Sequence, residues 1–129
     1  MPGASSSSVG IGQESNGELW LHENHWDSGD EVECTIVATD VNVGAVVAAG
    51  KTRRIREITV RHMGTANTII TLRLAGAAVA RVSFMVPAQS SRVWSSQDGR
   101  EFVAAEQAVV QSSNVTGGST FISAAGVEE

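Results

Sequence analysis

A chain of 129 residues carrying 14 acidic and 9 basic side chains, net charge -5, fits one domain built round a single core. The acidic balance argues against a general nucleic-acid binder, whose surface must neutralise phosphates, and no apolar run approaches the roughly 20 residues that cross a bilayer. Cys34 is the only cysteine and has no partner for an intramolecular disulfide.

Met1 to Gly17 is rich in serine and glycine and holds too few large apolar residues to cover the entropy of ordering it alone. Residues 1–17 are therefore expected to be an extended arm, leaving 18–129 as the folded domain. No basic region followed by a hydrophobic stretch opens the chain, so the expectation is a protein made and kept in a cytoplasm, or released from one by lysis.

Between Glu18 and Asp30 the composition turns aromatic and histidine-rich. His22, Glu23, His25, Asp27 and Asp30 are possible metal ligands, but H-E-x-H is one residue short of the spacing that sets two histidines on one helix face, and on a strand His22 and His25 face opposite ways. No metal or cofactor is expected. Trp20 and Trp26 read as anchors, either inside the fold or in the centre of an interface.

Glu31 to Thr39 alternates, with Val32, Cys34 and Ile36 on one side and Glu31, Glu33 and Thr35 on the other, which predicts a strand holding Cys34 as a buried thiol. Val41 to Ala49 is small and apolar. Lys51, Arg53, Arg54 and Arg56 then cluster in a basic turn. If they project together they form a contact for an anion or an acidic protein, and otherwise a solvated loop.

Three alternating segments follow. Ile58, Val60 and His62 share one face, as do Ile70, Leu72 and Leu74, and then Val82, Phe84 and Val86, before Pro87 removes a ladder donor. Gly64 to Asn67 and Ala75 to Ala78 separate them with turn-forming residues, so an antiparallel meander is the simplest reading. The inward-facing residues of these strands are the expected core.

Ser90 to Ser96 carries Val93 and Trp94 ahead of Gln97-Asp98-Gly99, whose Asp-Gly pair signals a turn. Glu101 to Val110 has helical composition but strand-favouring valines, and is read as mostly strand. Asn114 to Gly118 makes a last turn before a short strand, Thr120 to Ser123. The sequence has no tyrosine, no Gly-x-Ser-x-Gly elbow, no phosphate loop and no dinucleotide fingerprint, and the expected role is non-enzymatic.

The order Val46-Val47-Ala48-Ala49-Gly50-Lys51-Thr52-Arg53-Arg54-Ile55, then Ile58 to Val60, Thr68-Ile69-Ile70-Thr71-Leu72, and the closing Glu101 to Ile122 region resembles the small β-sandwich structural proteins of tailed bacteriophage virions. The resemblance spans about residues 45 to 123. It implies an all-β, antiparallel, jelly-roll-like sandwich and a place on the capsid surface as a decoration (cement) protein. That protein would form a homotrimer and bind the major capsid protein. The arm and the Trp20 to Trp26 segment fall outside the shared pattern, and the arm, Trp20, Trp26, Lys51, Arg53 and Arg54 are the partner contacts that the residues themselves offer. The other reading is a tail or fibre component that binds a host-surface glycan through Trp94 and Asp98.

Overall fold

The computed structural model describes residues 24–129. The arm, Trp20, His22 and Glu23 lie outside the described residues. Among the described residues, nine strands form two antiparallel sheets. They are β1 (His25–Asp27), β2 (Val32–Cys34), β3 (Val41–Asn42), β4 (Thr52–His62), β5 (Thr68–Leu74), β6 (Ala80–Val86), β7 (Ser90–Val103), β8 (Ala108–Ser112) and β9 (Thr120–Glu128). One sheet runs β1-β9-β4-β7 with β2 also on β9, and the other runs β3-β8-β5-β6.

The pairing has a simple logic. β1 and β2 lie end to end along β9, so together they act as one interrupted first strand. The pairs are then nested: that first strand with β9, β3 with β8, β4 with β7, and β5 with β6. The chain is one long antiparallel ribbon rolled on itself so that alternate pairs fall in alternate sheets, which is a jelly roll. Each crossing from sheet to sheet lets the apolar faces of successive strands meet across the core instead of lying side by side. Ile55, Ile58, Val60 and Ile122 from one sheet and Ile70, Leu72, Val82, Val86 and Val110 from the other are all buried there. The expected core is observed, with Leu74 only half-buried at its margin.

Four sequence expectations change. The meander is half right: β5 and β6 are paired, but β4 lies in the opposite sheet, and Gly64 to Asn67 is a crossing, not a hairpin. Identical alternation serves strands that pair and strands that face each other, so the pattern alone does not separate the two. The strand expected over Glu31 to Thr39 ends at Cys34, because the chain then turns through Ala38 to reach β3 in the other sheet, and Ile36 is left 62% exposed. Asp98-Gly99 does not end a strand. It sits in a bulge inside β7, where Ser96 to Gly99 stand opposite the single residue Arg56 of β4, with Gly99 at a φ of 71° and its amide donating to Ser96 Oγ. The last strand runs on to Glu128. Glu101 to Val110 is strand at both ends with a tight turn between them.

Arg56 is also an extra residue against β9, where Ile55 faces Gly126 and Glu57 faces Ala125. The two backbones approach so closely here that a Cβ on Gly126 would overlap the Arg54 carbonyl oxygen.

Candidate functional site

The basic cluster is not one surface. β4 alternates, so Arg53 points inward and Arg54 outward. Arg53 is 3% exposed: its Nε and Nη2 each lie 3.0 Å from Glu128 Oε1, and Nη1 donates to the Ala45 carbonyl at 2.6 Å. Its guanidinium lies 4.2 Å above the Trp26 ring. Trp26 and Arg53, both expected at a partner contact, thus bind each other and tie β1, β4 and β9 together. The cost of burying the cation is offset by Glu128, a carbonyl and an aromatic face. Arg54 is half-exposed and reaches Glu101 at 3.4 Å, while Lys51 and Arg56 are exposed. Among the described residues neither Lys51 nor Arg56 has an ion-pair partner.

His25 and Asp27 lie 3.4 Å apart on the exposed face of β1, and Asp30 is also exposed. Among the described residues no three His, Cys, Asp or Glu side chains are grouped to hold a metal. Trp94 is half-buried against the core, with Arg100 5.3 Å from its ring, whereas Asp98 is exposed on the β7 bulge. The two do not form a common open platform.

The sequence reading overlooked a histidine that meets hydroxyl groups. His62, 1% exposed, lies with Nε2 2.7 Å from the Ala66 carbonyl and Nδ1 2.8 Å from Thr120 Oγ1. A carbonyl only accepts, so Nε2 carries a proton, and in the neutral imidazole Nδ1 accepts from Thr120. Ser112 Oγ stands 3.0 Å from Thr120 Oγ1 and 2.6 Å from Thr68 Oγ1, and the Asn114 amide donates to Thr68. The Ser112 hydroxyl donates to the Asn114 carbonyl at 3.1 Å, so the network runs from Asn114 and Thr68 through Ser112 and Thr120 to His62 with no single direction of donation. It crosses from β5 and β8 to β4 and β9, and so joins the two sheets at one end of the sandwich. His-hydroxyl pairing is a device that activates nucleophiles, but Thr120, Ser112 and Thr68 are all at most 1% exposed. Here the network links sheets. A signal for it was present in the sequence, because His62 continues the inward series Ile58, Val60.

The same end carries a shallow open depression lined by Thr35, Ile36, Val37 and residues 113–116. At the opposite end, three loops of small apolar residues converge. Residues 44–50 and 103–107 are joined by Val47 amide to Glu106 carbonyl and Ala105 amide to Val47 carbonyl. Residues 75–79 join them through Ala75 amide to Gln107 carbonyl. Val43 and Val47 are buried beneath, while Val46, Val79 and Val103 are 50%, 77% and 44% exposed.

No family model, curated protein or solved structure matches this chain.

Proposed function

We propose that this chain is a structural protein of a virion: a decoration (cement) protein that binds the major capsid protein on the outside of a tailed-phage shell as a homotrimer. The observation that carries the reading is the nested strand topology, a jelly roll, an architecture that viral shell proteins use repeatedly. Fold alone does not assign function, and the reading draws further support from the surface. Ile36 and Val37 stay 62% and 52% exposed at one end of the sandwich, as on a protein that completes its burial in an assembly. Lys51 and Arg54 are the basic contacts left at the surface, Arg53 and Trp26 being engaged with each other.

Cementing follows from mass action. A protein that binds only the assembled lattice makes its dissociation harder, and residues 1–17 would extend the contact to neighbouring subunits. The glycan-binding reading needs an open aromatic platform, and the half-buried Trp94 ring, flanked by Arg100, favours the capsid reading over it.

The test is co-sedimentation with capsids stripped of accessory proteins, using the full chain and a variant lacking residues 1–17. Saturable binding supports the cement reading, and its loss on truncation places the main contact in the arm. Absence of binding by the full chain, together with retention on a glycan array, would replace this reading with the tail or fibre one.

A further inference from the structure

We propose that the apolar cap formed by residues 44–50, 75–79 and 103–107 is the docking surface for Leu19-Trp20-Leu21 of the same chain. This goes beyond the capsid reading and holds for the isolated protein.

Three observations select that occupant. The first is where the described chain begins. The Asn24 carbonyl accepts from the Glu128 amide, and the Glu129 carbonyl accepts from the Thr52 amide, so the chain enters the sandwich at the end that carries the cap. The nearest cap loop is in direct contact with β1, since Gly44 packs on the Trp26 ring and Ala45 binds the arginine stacked over it. From Asn24 back to Leu21 the chain spans about 10 Å when extended, enough to reach that loop.

The second is apolar match. Val46, Val79 and Val103 are 50%, 77% and 44% exposed on three loops already locked together by backbone hydrogen bonds. Leu19-Trp20-Leu21 is the most apolar segment of residues 1–23. The small alanines of the cap, Ala48, Ala49, Ala78, Ala104 and Ala105, let an indole lie close to the backbone.

The third is charge. Residues 1–23 contain Glu14, Glu18 and Glu23 and no Lys or Arg, while Lys51, whose amide donates to Ala48 of the cap, is exposed without an ion-pair partner among the described residues. Glu18 and Glu23 flank the apolar trio and would meet that positive charge. Docked in this way, the trio fixes the root of the arm, and residues 1–17 leave the sandwich from a set point.

The test uses the full chain labelled with 5-fluorotryptophan, which gives one fluorine resonance for each of its three tryptophans, with W20F assigning Trp20. The solvent isotope shift between water and deuterium oxide reads exposure. In monomeric protein the Trp20 resonance is expected to show at most half the shift of free fluorotryptophan. V79D and V46D should each restore the full shift while leaving the Trp26 and Trp94 resonances in place. Those two resonances report folding, and two independent variants guard against loss of one. A full shift in the wild-type protein, or no response to either aspartate, overturns the proposal. So does protection that disappears on dilution in step with dissociation, because the occupant would then belong to a second copy.

Discussion

His62 and Thr120 meet across the β4–β9 pair with Nδ1 2.8 Å from the hydroxyl oxygen, and neither side chain is more than 1% exposed. Thr120→Val keeps the shape and removes the donor, leaving a buried imidazole nitrogen without its partner. A cost of about 1–3 kcal/mol is expected from a lost buried hydrogen bond. In urea unfolding, the double variant H62L/T120V should lose less than the sum of its single variants, since removing both partners leaves neither Nδ1 nor the Thr120 hydroxyl stranded by loss of the other. Strict additivity would show that the pair contributes no coupling.

Arg53 is stabilised by Glu128 in an almost dry setting, the glutamate side chain being 19% exposed and the arginine 3%. E128Q strands the cation and should lower stability by about 3 kcal/mol, the scale of breaking a buried pair. R53M removes the charge and keeps a stem over Trp26, so it should cost less than E128Q. The reverse order in denaturant midpoints would mean that the hydrogen bond to Ala45, and not the charge pair, dominates.

Burial pushes the Cys34 thiol from its ordinary value of 9.0 up to about 11, against a smaller lowering by the Ser112 backbone. The folded state therefore holds the thiol proton more tightly than the unfolded state. Stability from this group is complete below pH 9, falls between about pH 9 and 11 as the unfolded thiol ionises, and levels off above that. The full loss is on the order of 2–3 kcal/mol. The difference between wild type and C34A, followed by urea unfolding at pH 8 and pH 10.5, isolates it from the other titrating groups, and a pH-independent difference would refute the assignment.

The sequence made the strands legible wherever alternation was unbroken. Ile58 to His62, Thr68 to Leu74 and Ala80 to Val86 each show period two, and the structure buries the expected faces. What alternation does not encode is which strands pair. Gly64 to Asn67 has hairpin chemistry yet crosses between sheets, because the long β4 finds its partners in β7 and β9 instead of β5. Asp98-Gly99 has the same chemistry, but β4 holds both flanks of the loop and turns it into a bulge. The site was harder to read. Arg53 looked like surface because arginine usually is, and only its phase with Ile55 marked it as inward. His62 was overlooked because its hydroxyl partners come from Thr68, Ser112 and Thr120, residues brought together only by the roll.

Ala105 occupies the left-handed region at a φ of 73° in the β7–β8 turn, where its amide donates to the Val47 carbonyl. A side chain there carries a steric cost of about 1–2 kcal/mol, which glycine escapes while adding some freedom to the unfolded chain. Ala105→Gly should therefore gain about 0.5–1 kcal/mol, raising Tm by a few degrees. A fall in Tm would mean that the methyl group contributes to covering the cap.

The open side of the sandwich, between edge strands β6 and β7, is closed by arginines. Arg81 of β6 donates to the Glu101 carbonyl of β7. In return, Arg100 and Arg92 of β7 donate to the Arg81 and Met85 carbonyls at 2.9 Å and 2.6 Å. Each guanidinium also lies over an aromatic ring, Arg81 on Phe102, Arg92 on Phe84 and Arg100 on Trp94. Among the described residues these carbonyls belong to strands with no neighbour on that side, the groups through which sheets add foreign strands. Capping them with a cation both satisfies the acceptor and places charge at the edge. The triple variant R81S/R92S/R100S should keep the strand content of the parent in far-ultraviolet circular dichroism but self-associate at concentrations where the parent stays dispersed, as read by light scattering. A triple variant as dispersed as the parent would show that something other than these arginines protects the edge.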